Sequence, residues 1–241
     1  MVILKDEKFA PIFGSWWPYI SKFFYAGGFD PIYTFLKSES ARGKQIAPLS
    51  GDVYKAFQLT PYDKCMMVIV GYCPYHSFYN NLPVADGLAF SCGVTGKLQP
   101  SLVSWYDGLE EEFGLIIDRE PDLSYLSKQG VLMLNSSLTV EKSKAGSHQE
   151  LWRPFMKYLM EEVFAYTYTP ILFIGKDAQY YERYTMPITH GPVFSIEHPS
   201  FAARNFEKWD TKGVFTQINR HLKMTNNIEI NWKNENYEQI N

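Results

Sequence analysis

Four short apolar runs punctuate the chain, and each ends in a polar or glycine-bearing segment. They are MMVIVG (66–71), GVLMLNSSLTV (130–140), PILFIGKD (170–177) and HGPVFSIEHPS (190–200). Runs this short read as strands, the first two of them buried. Segments with helical spacing lie between and after them. SLVSWYDGLEEEFG (101–114) puts Leu102, Trp105 and Leu109 on one side. LWRPFMKYLMEEVFAYTY (151–168) reads as a helix with Pro154 in its first turn, and FTQINRHLK (215–223) as a last helix. Upstream, the aromatic stretch 14–38, broken by Gly27 and Gly28, predicts short helices and a turn. DVYKAF (52–57) predicts a helix start with Asp52 as the candidate cap. Strands alternating with helices predict an α/β fold, a three-layer α/β/α sandwich around a central, mostly parallel four-stranded sheet. Ligands in such folds bind outside the carboxyl ends of the strands. Those ends carry GYCPYH, LNSSLT, IGKDAQ and EHPS, which therefore converge on one edge.

No repeat and no Gly/Ser/Pro linker divides the 241 residues, so the expectation is one domain over 1–241 with a polar, Asn-rich tail at 224–241. A hydrophobic share of 46% supplies a core and excludes a disordered chain. The formal charge of −3, taken alone, argues against a basic nucleic-acid coat protein or a polybasic membrane-surface protein. Cys65, Cys73 and Cys92 are odd in number and lack metal-ligand spacing. They indicate no disulfide scaffold, no metal, no iron–sulfur cluster and no cofactor, and they fit a reduced compartment. Lys5, Asp6, Glu7 and Lys8 interrupt the N-terminus where a secretory apolar stretch would continue, and no run reaches the ~18 apolar residues of a bilayer span. A cytoplasmic monomer with no membrane partner is expected. The aromatic cluster SWWPYISKFFY (15–25) reads as packing on the sheet.

The strand-end segments belong to an ordered set: GYCPYH (71–76), GLAFS (87–91), QGVLMLNSSLTV (129–140), SH (147–148) and HPSFAA (198–203). This set resembles the family 1 uracil-DNA glycosylases, which carry GQDPYH, GLAFS, QGVLLLN…LTV, SH and HPSPLS in the same order. Weaker matches at PSL (100–102) and GKDAQ (175–179) extend the resemblance along almost the whole chain. It implies a DNA partner and hydrolysis of the bond joining a base to its deoxyribose, after the nucleotide is flipped from the duplex. Extrusion costs a few kcal/mol of stacking and pairing. The pocket must then stabilise a departing base anion and bring water to a cation-like sugar.

The resemblance assigns roles residue by residue. Phe90 in GLAFS stacks on the flipped base, and Asn135 reads its Watson–Crick edge with an amide that offers both donor and acceptor. His198 hydrogen-bonds the base carbonyl oxygen as charge develops. Tyr75 faces the C5 edge and rejects the thymine methyl. Ser101, Ser147 and Ser200, with His148 beside Ser147, match the positions that hold DNA phosphates, and Lys176 stands where the family has a serine. Phosphate contacts hold register and carry no sequence information. A chain that grips a few phosphates needs only a local positive patch, which reconciles DNA binding with the net charge.

Four departures stand out. Cys73 occupies the position of the family's water-orienting aspartate, and a neutral thiol is a weak acceptor. General-base help is worth about 10²–10⁴-fold. Three explanations compete: another carboxylate holds the water, with Asp86 the first candidate; the pocket is rebuilt for another base; or hydrolysis is lost and a DNA-binding subunit remains. Tyr72 replaces the family glutamine and adds bulk at the same wall. The segment SFYNNLPV after His76 is about four residues longer than the family's GPGQ; either it moves Tyr75 or it is a surface insertion of a kind proteins tolerate. Together these raise a second substrate class, 5-substituted cytosines of viral DNA, excised in an antiviral defence role. Finally, the leucine wedge of HPSPLS is missing. Ala202 falls near its place, with Phe201 and Arg204 as replacements.

Overall fold

The computed structural model describes residues 6–185 and 191–233. Three pairings fix its centre. β2 (Met67–Gly71) lies parallel to β5 (Val131–Asn135) on one side and to β7 (Ile171–Ile174) on the other, and β7 lies parallel to β8 (Val193–Ile196). The sheet order is therefore β5-β2-β7-β8, all parallel. Every residue of β2, β5 and β7 is buried, which is why their sequences run apolar without alternation. The chain leaves β2 for β5 and returns past β2 to reach β7, so the strand order reverses beside β2. A reversal of this kind opens a crevice at the carboxyl ends.

Two small antiparallel pairs decorate that end: β1 (Ile46–Ala47) with β6 (Val140–Glu141), and the hairpin β3 (Phe78–Tyr79) with β4 (Leu82–Pro83). GVLMLNSSLTV thus divides into β5, a polar turn and β6, because Ser136 and Ser137 turn the backbone to bond Gly71 O and Tyr72 O.

Helices cover the sheet. Pro100–Phe113 buries Leu102, Trp105 and Leu109, as their spacing predicts, and ends on left-handed Gly114. The aromatic N-terminus forms helices Asp6–Phe13, Trp17–Tyr25 and Asp30–Ala41. It packs inward: Trp16 is fully buried and its Nε1–H donates to Thr60 O at 2.7 Å.

Some local expectations are corrected. Asp52 does not cap a helix: it lies in a 3-10 turn, and the helix Lys55–Leu59 starts after Tyr54 without a side-chain cap. The helix expected over 151–168 starts at Gln149, which puts Pro154 in its second turn. It passes into a π turn, Leu159–Val163, and a 3-10 turn, Phe164–Tyr166. Of the expected tail, Met224–Asn226 completes the helix Val214–Asn226, and Ile230 and Trp232 are buried. Positions 234–241 lie outside the described residues. Among the described residues, no helix is long and apolar enough to cross a membrane.

Candidate active site

The four strand ends meet in one cleft of about 570 Å³. Gly71 ends β2 directly opposite Asn135 at the end of β5. A Cβ at Gly71 would stand 3.1 Å from both Asn135 Oδ1 and Phe90 Cε2, so glycine lets these two side chains close over the strand end. Phe90 is delivered by the GLAFS turn. Ala89 N–H donates to Met133 O at 3.0 Å, and Phe90 takes the left-handed conformation at φ 64°. Its ring centroid lies 5.3 Å from that of His198. The Asn135 amide is buried and lines the cleft, yet its side chain makes no hydrogen bond to any described residue. Its amide is not among the closed-off unpartnered polar groups of the described residues, so it is open to the cleft and free to bond what enters there.

His198 follows β8 at the start of the helix Pro199–Asn205. Its Nδ1 accepts from Ser200 N–H at 3.1 Å and lies 2.9 Å from Ser200 Oγ. With Nδ1 occupied as an acceptor, the neutral imidazole carries its proton on Nε2. Burial, reinforced by the charge of Arg204, pushes its pKa down to about 4. At neutral pH His198 is therefore an uncharged donor. Glu197 shares the cleft without contributing to that shift.

Tyr75 is fixed at two points. Its hydroxyl donates to Phe90 O at 3.2 Å and lies 2.8 Å from Ser101 Oγ. The hairpin insertion after His76 leaves it in the cleft wall. Tyr72 lines the same cleft, and a Cβ at Gly146 would come within 2.0 Å of its hydroxyl oxygen, so Gly146 makes room for the ring.

Cys73 lines the cleft and is half-buried beside the apolar group Ala47, Ala85 and Val140. Burial pushes its thiol up to about 11, with the Asp177 charge adding to the rise against a backbone contact from Gly146. The thiol is neutral at pH 7 and is not a base. Asp86 does not replace it. Its carboxylate is fully buried, accepts from Leu88 N–H, Ser91 Oγ–H and Gly93 N–H at 3.1, 2.5 and 3.0 Å, and has Lys55 Nζ at 3.7 Å. Those bonds fold the GLAFS turn, and Asp86 is absent from the cleft lining. The carboxylates that do line the cleft are Asp177 and Glu197. Asp177 sits in the strand-end segment IGKDAQ and raises the pKa of both Cys73 and Tyr72. It is the residue sequence reasoning missed, although the carboxyl-end rule points at its segment.

The sequence model of the uracil DNA glycosylase superfamily matches residues 57–223. The chain belongs to that superfamily. It is 35% identical over 203 residues to a uracil-DNA glycosylase of Fusobacterium nucleatum, covering 83% of this chain and 87% of the relative. It is 30% identical over 233 residues to that of Wolinella succinogenes, covering 96% and 99%. A solved structure of mimivirus uracil-DNA glycosylase shares the fold with TM-score 0.77 at 22% identity, over 89% of this chain and 86% of that one.

The positions expected to touch DNA in this superfamily member fall into two groups. Lys176, Ser147, Phe201 and Arg204 are exposed, and all but Ser147 line the cleft. Ser147 Oγ accepts from Glu141 N–H at 2.9 Å and keeps its own proton to donate. The others are engaged inside the fold; Ser101 and Ser200 line the cleft, whereas His148 and Ala202 do not. His148 is buried, with Nδ1 2.9 Å from Thr139 Oγ1, which in turn accepts from Trp152 Nε1–H at 2.7 Å. It braces the turn after β5 and stands outside the cleft lining. Ser101 is buried against Tyr75, and Ser200 is engaged with His198, so each holds another site residue. Ala202 is buried where its helix packs on Pro100–Phe113, which removes it as a wedge. Phe201 beside it is 50% exposed. Among the described residues, no cluster of three or more His, Cys, Asp or Glu is arranged to hold a metal ion.

Proposed function

We propose that this chain is a DNA glycosylase that takes an extruded pyrimidine nucleotide, uracil first, into the cleft and hydrolyses its N-glycosidic bond. The observation that carries the reading is the unengaged, buried Asn135 amide beside the Phe90 ring and within the cleft that His198 shares. Phe90 stacks on the base, an interaction worth roughly 1–3 kcal/mol. Asn135 pairs with its Watson–Crick edge. His198 Nε2–H donates to a carbonyl oxygen, and that bond strengthens as the base leaves with negative charge. Tyr75, tied to Phe90 O and Ser101, supports an unsubstituted C5 edge over a bulky one.

Water delivery is the weak step. Cys73 offers no charge to a cation-like sugar, and Asp177 is the cleft carboxylate whose field reaches it. We assign Asp177 to the attacking water and expect turnover below that of a glycosylase with a carboxylate at position 73. The neutral thiol also favours a second reading, a DNA-binding subunit that recognises the flipped base without cutting it. One assay decides among the readings. The protein is incubated with oligonucleotides carrying uracil, 5-hydroxymethyluracil, 5-hydroxymethylcytosine or its glucosylated form, and abasic sites are then cleaved. Scission with uracil, abolished by Asn135→Ala, supports the first reading. Scission only with a bulky base overturns the uracil assignment and favours the defence role. Binding without scission leaves the non-catalytic subunit.

A further inference from the structure

The insertion after His76 is a built element. β3 and β4 pair with Tyr79 opposite Leu82, and the turn between them, Asn80 and Asn81, is left-handed at both positions with φ 49° and 61°. That is the geometry of a tight two-residue hairpin turn, whose twist matches its strands. Phe78 packs with Cys73 and Tyr75 onto Ala47, Ala85 and Val140, so the hairpin's base backs two residues of the cleft wall. Its outer end is apolar and open: Tyr79 is 51% exposed and Leu82 47%. Two lysines flank it. Lys97 Nζ stands 5.4 Å from the Tyr79 ring centroid and Lys142 Nζ 5.1 Å from that of Phe78. Neither forms an ion pair with a described residue, and neighbouring Glu141 is neutralised by Lys44 and Lys144. Lys97 also lies just before Pro100–Phe113, the helix whose Ser101 holds Tyr75.

We propose that the hairpin Phe78–Pro83 is a second DNA-contact element, in which Tyr79 stacks on an unpaired base flanking the extruded nucleotide and Lys97 and Lys142 take adjacent phosphates. It rests on the reading that the cleft receives DNA. An exposed ring and apolar neighbour with unneutralised cations, packed directly behind the cleft wall, match the stacking-plus-phosphate chemistry of single-strand binding. Paired bases in a duplex present no free face to Tyr79, so the element favours single-stranded or locally opened DNA.

The test is fluorescence anisotropy with a labelled single-stranded oligonucleotide and its duplex, over a salt series. Tyr79→Ala should weaken single-strand binding about fivefold or more and duplex binding less, while Tyr79→Phe should retain affinity. Lys97→Gln with Lys142→Gln should flatten the single-strand salt slope by about 0.7 per lysine. If the wild type binds and these variants match it in affinity and slope, the hairpin role is overturned and the cleft reading stands. If the wild type binds neither DNA, both fall.

Discussion

His198 Nδ1 lies 3.1 Å from the backbone nitrogen of Ser200, and that N–H is the donor. Protonating Nδ1 would turn it from acceptor to donor and break the bond. The group's folded pKa is about 4, below its ordinary 6.5. Excision should therefore be flat from neutral pH down to about 5 and fall near 4, once Nε2–H belongs to a cation tied to a disrupted loop. Because the folded pKa is the lower one, the stability carried by neutral His198 is full above pH 6.5. It declines as pH falls from 6.5 to about 4 and changes no further below that. Imidazole ¹⁵N shifts recorded against pH check the tautomer and the midpoint together; a midpoint near 6.5 would refute the assignment.

Cys73→Asp should raise kcat on uracil-containing DNA by about 10²–10⁴-fold, the usual worth of general-base help. Asp177→Asn should lower kcat at least ~10-fold in the native background and much less when combined with Cys73→Asp, where a second carboxylate can hold the water. Single-turnover kinetics separate this from DNA affinity. A Cys73→Asp rate equal to the native one would show that the thiol does not limit turnover.

Asp86→Ala should act on stability and not on the chemistry directly. It strips three donors in the GLAFS turn of their acceptor, two of them backbone N–H groups. Leaving such groups buried and unpaired costs ~1–3 kcal/mol each. Thermal unfolding should show a loss of several degrees, with residual activity tracking the folded fraction. Full stability with abolished activity would return Asp86 to the catalytic candidates.

Phe201→Ala should reduce excision from duplex more than from single-stranded substrate, since only the duplex leaves a gap for a wedge to hold. Equal losses on the two substrates would count against a wedge at Phe201.

The sheet was legible because buried parallel strands leave an unmistakable mark, apolar runs that stop at Gly71, Asn135, Gly175 and His198. The same stops located the cleft. What the sequence hid was which polar residues near those stops face outward. Asp86 stands beside a matching motif and His148 inside one, yet both are consumed by the turns that present the motif, and turn conformation is set by tertiary packing. Ala202 and Phe201 are adjacent on one short helix, and only its docking on Pro100–Phe113 decides which is buried. Asp177 escaped notice because its value depends on a neighbour across the sheet, Cys73, and not on anything in its own segment.

On the proposed function, the three side chains that hold the base come from other segments than the water-side thiol, although Tyr75 shares the loop of Cys73. Phe90, Asn135 and His198 are held by packing around β5 and β8, whereas Cys73 lies in the loop after β2 and anchors no turn of theirs. Under that reading, exchanging the side chain at position 73 would change turnover while Phe90, Asn135 and His198 keep their places.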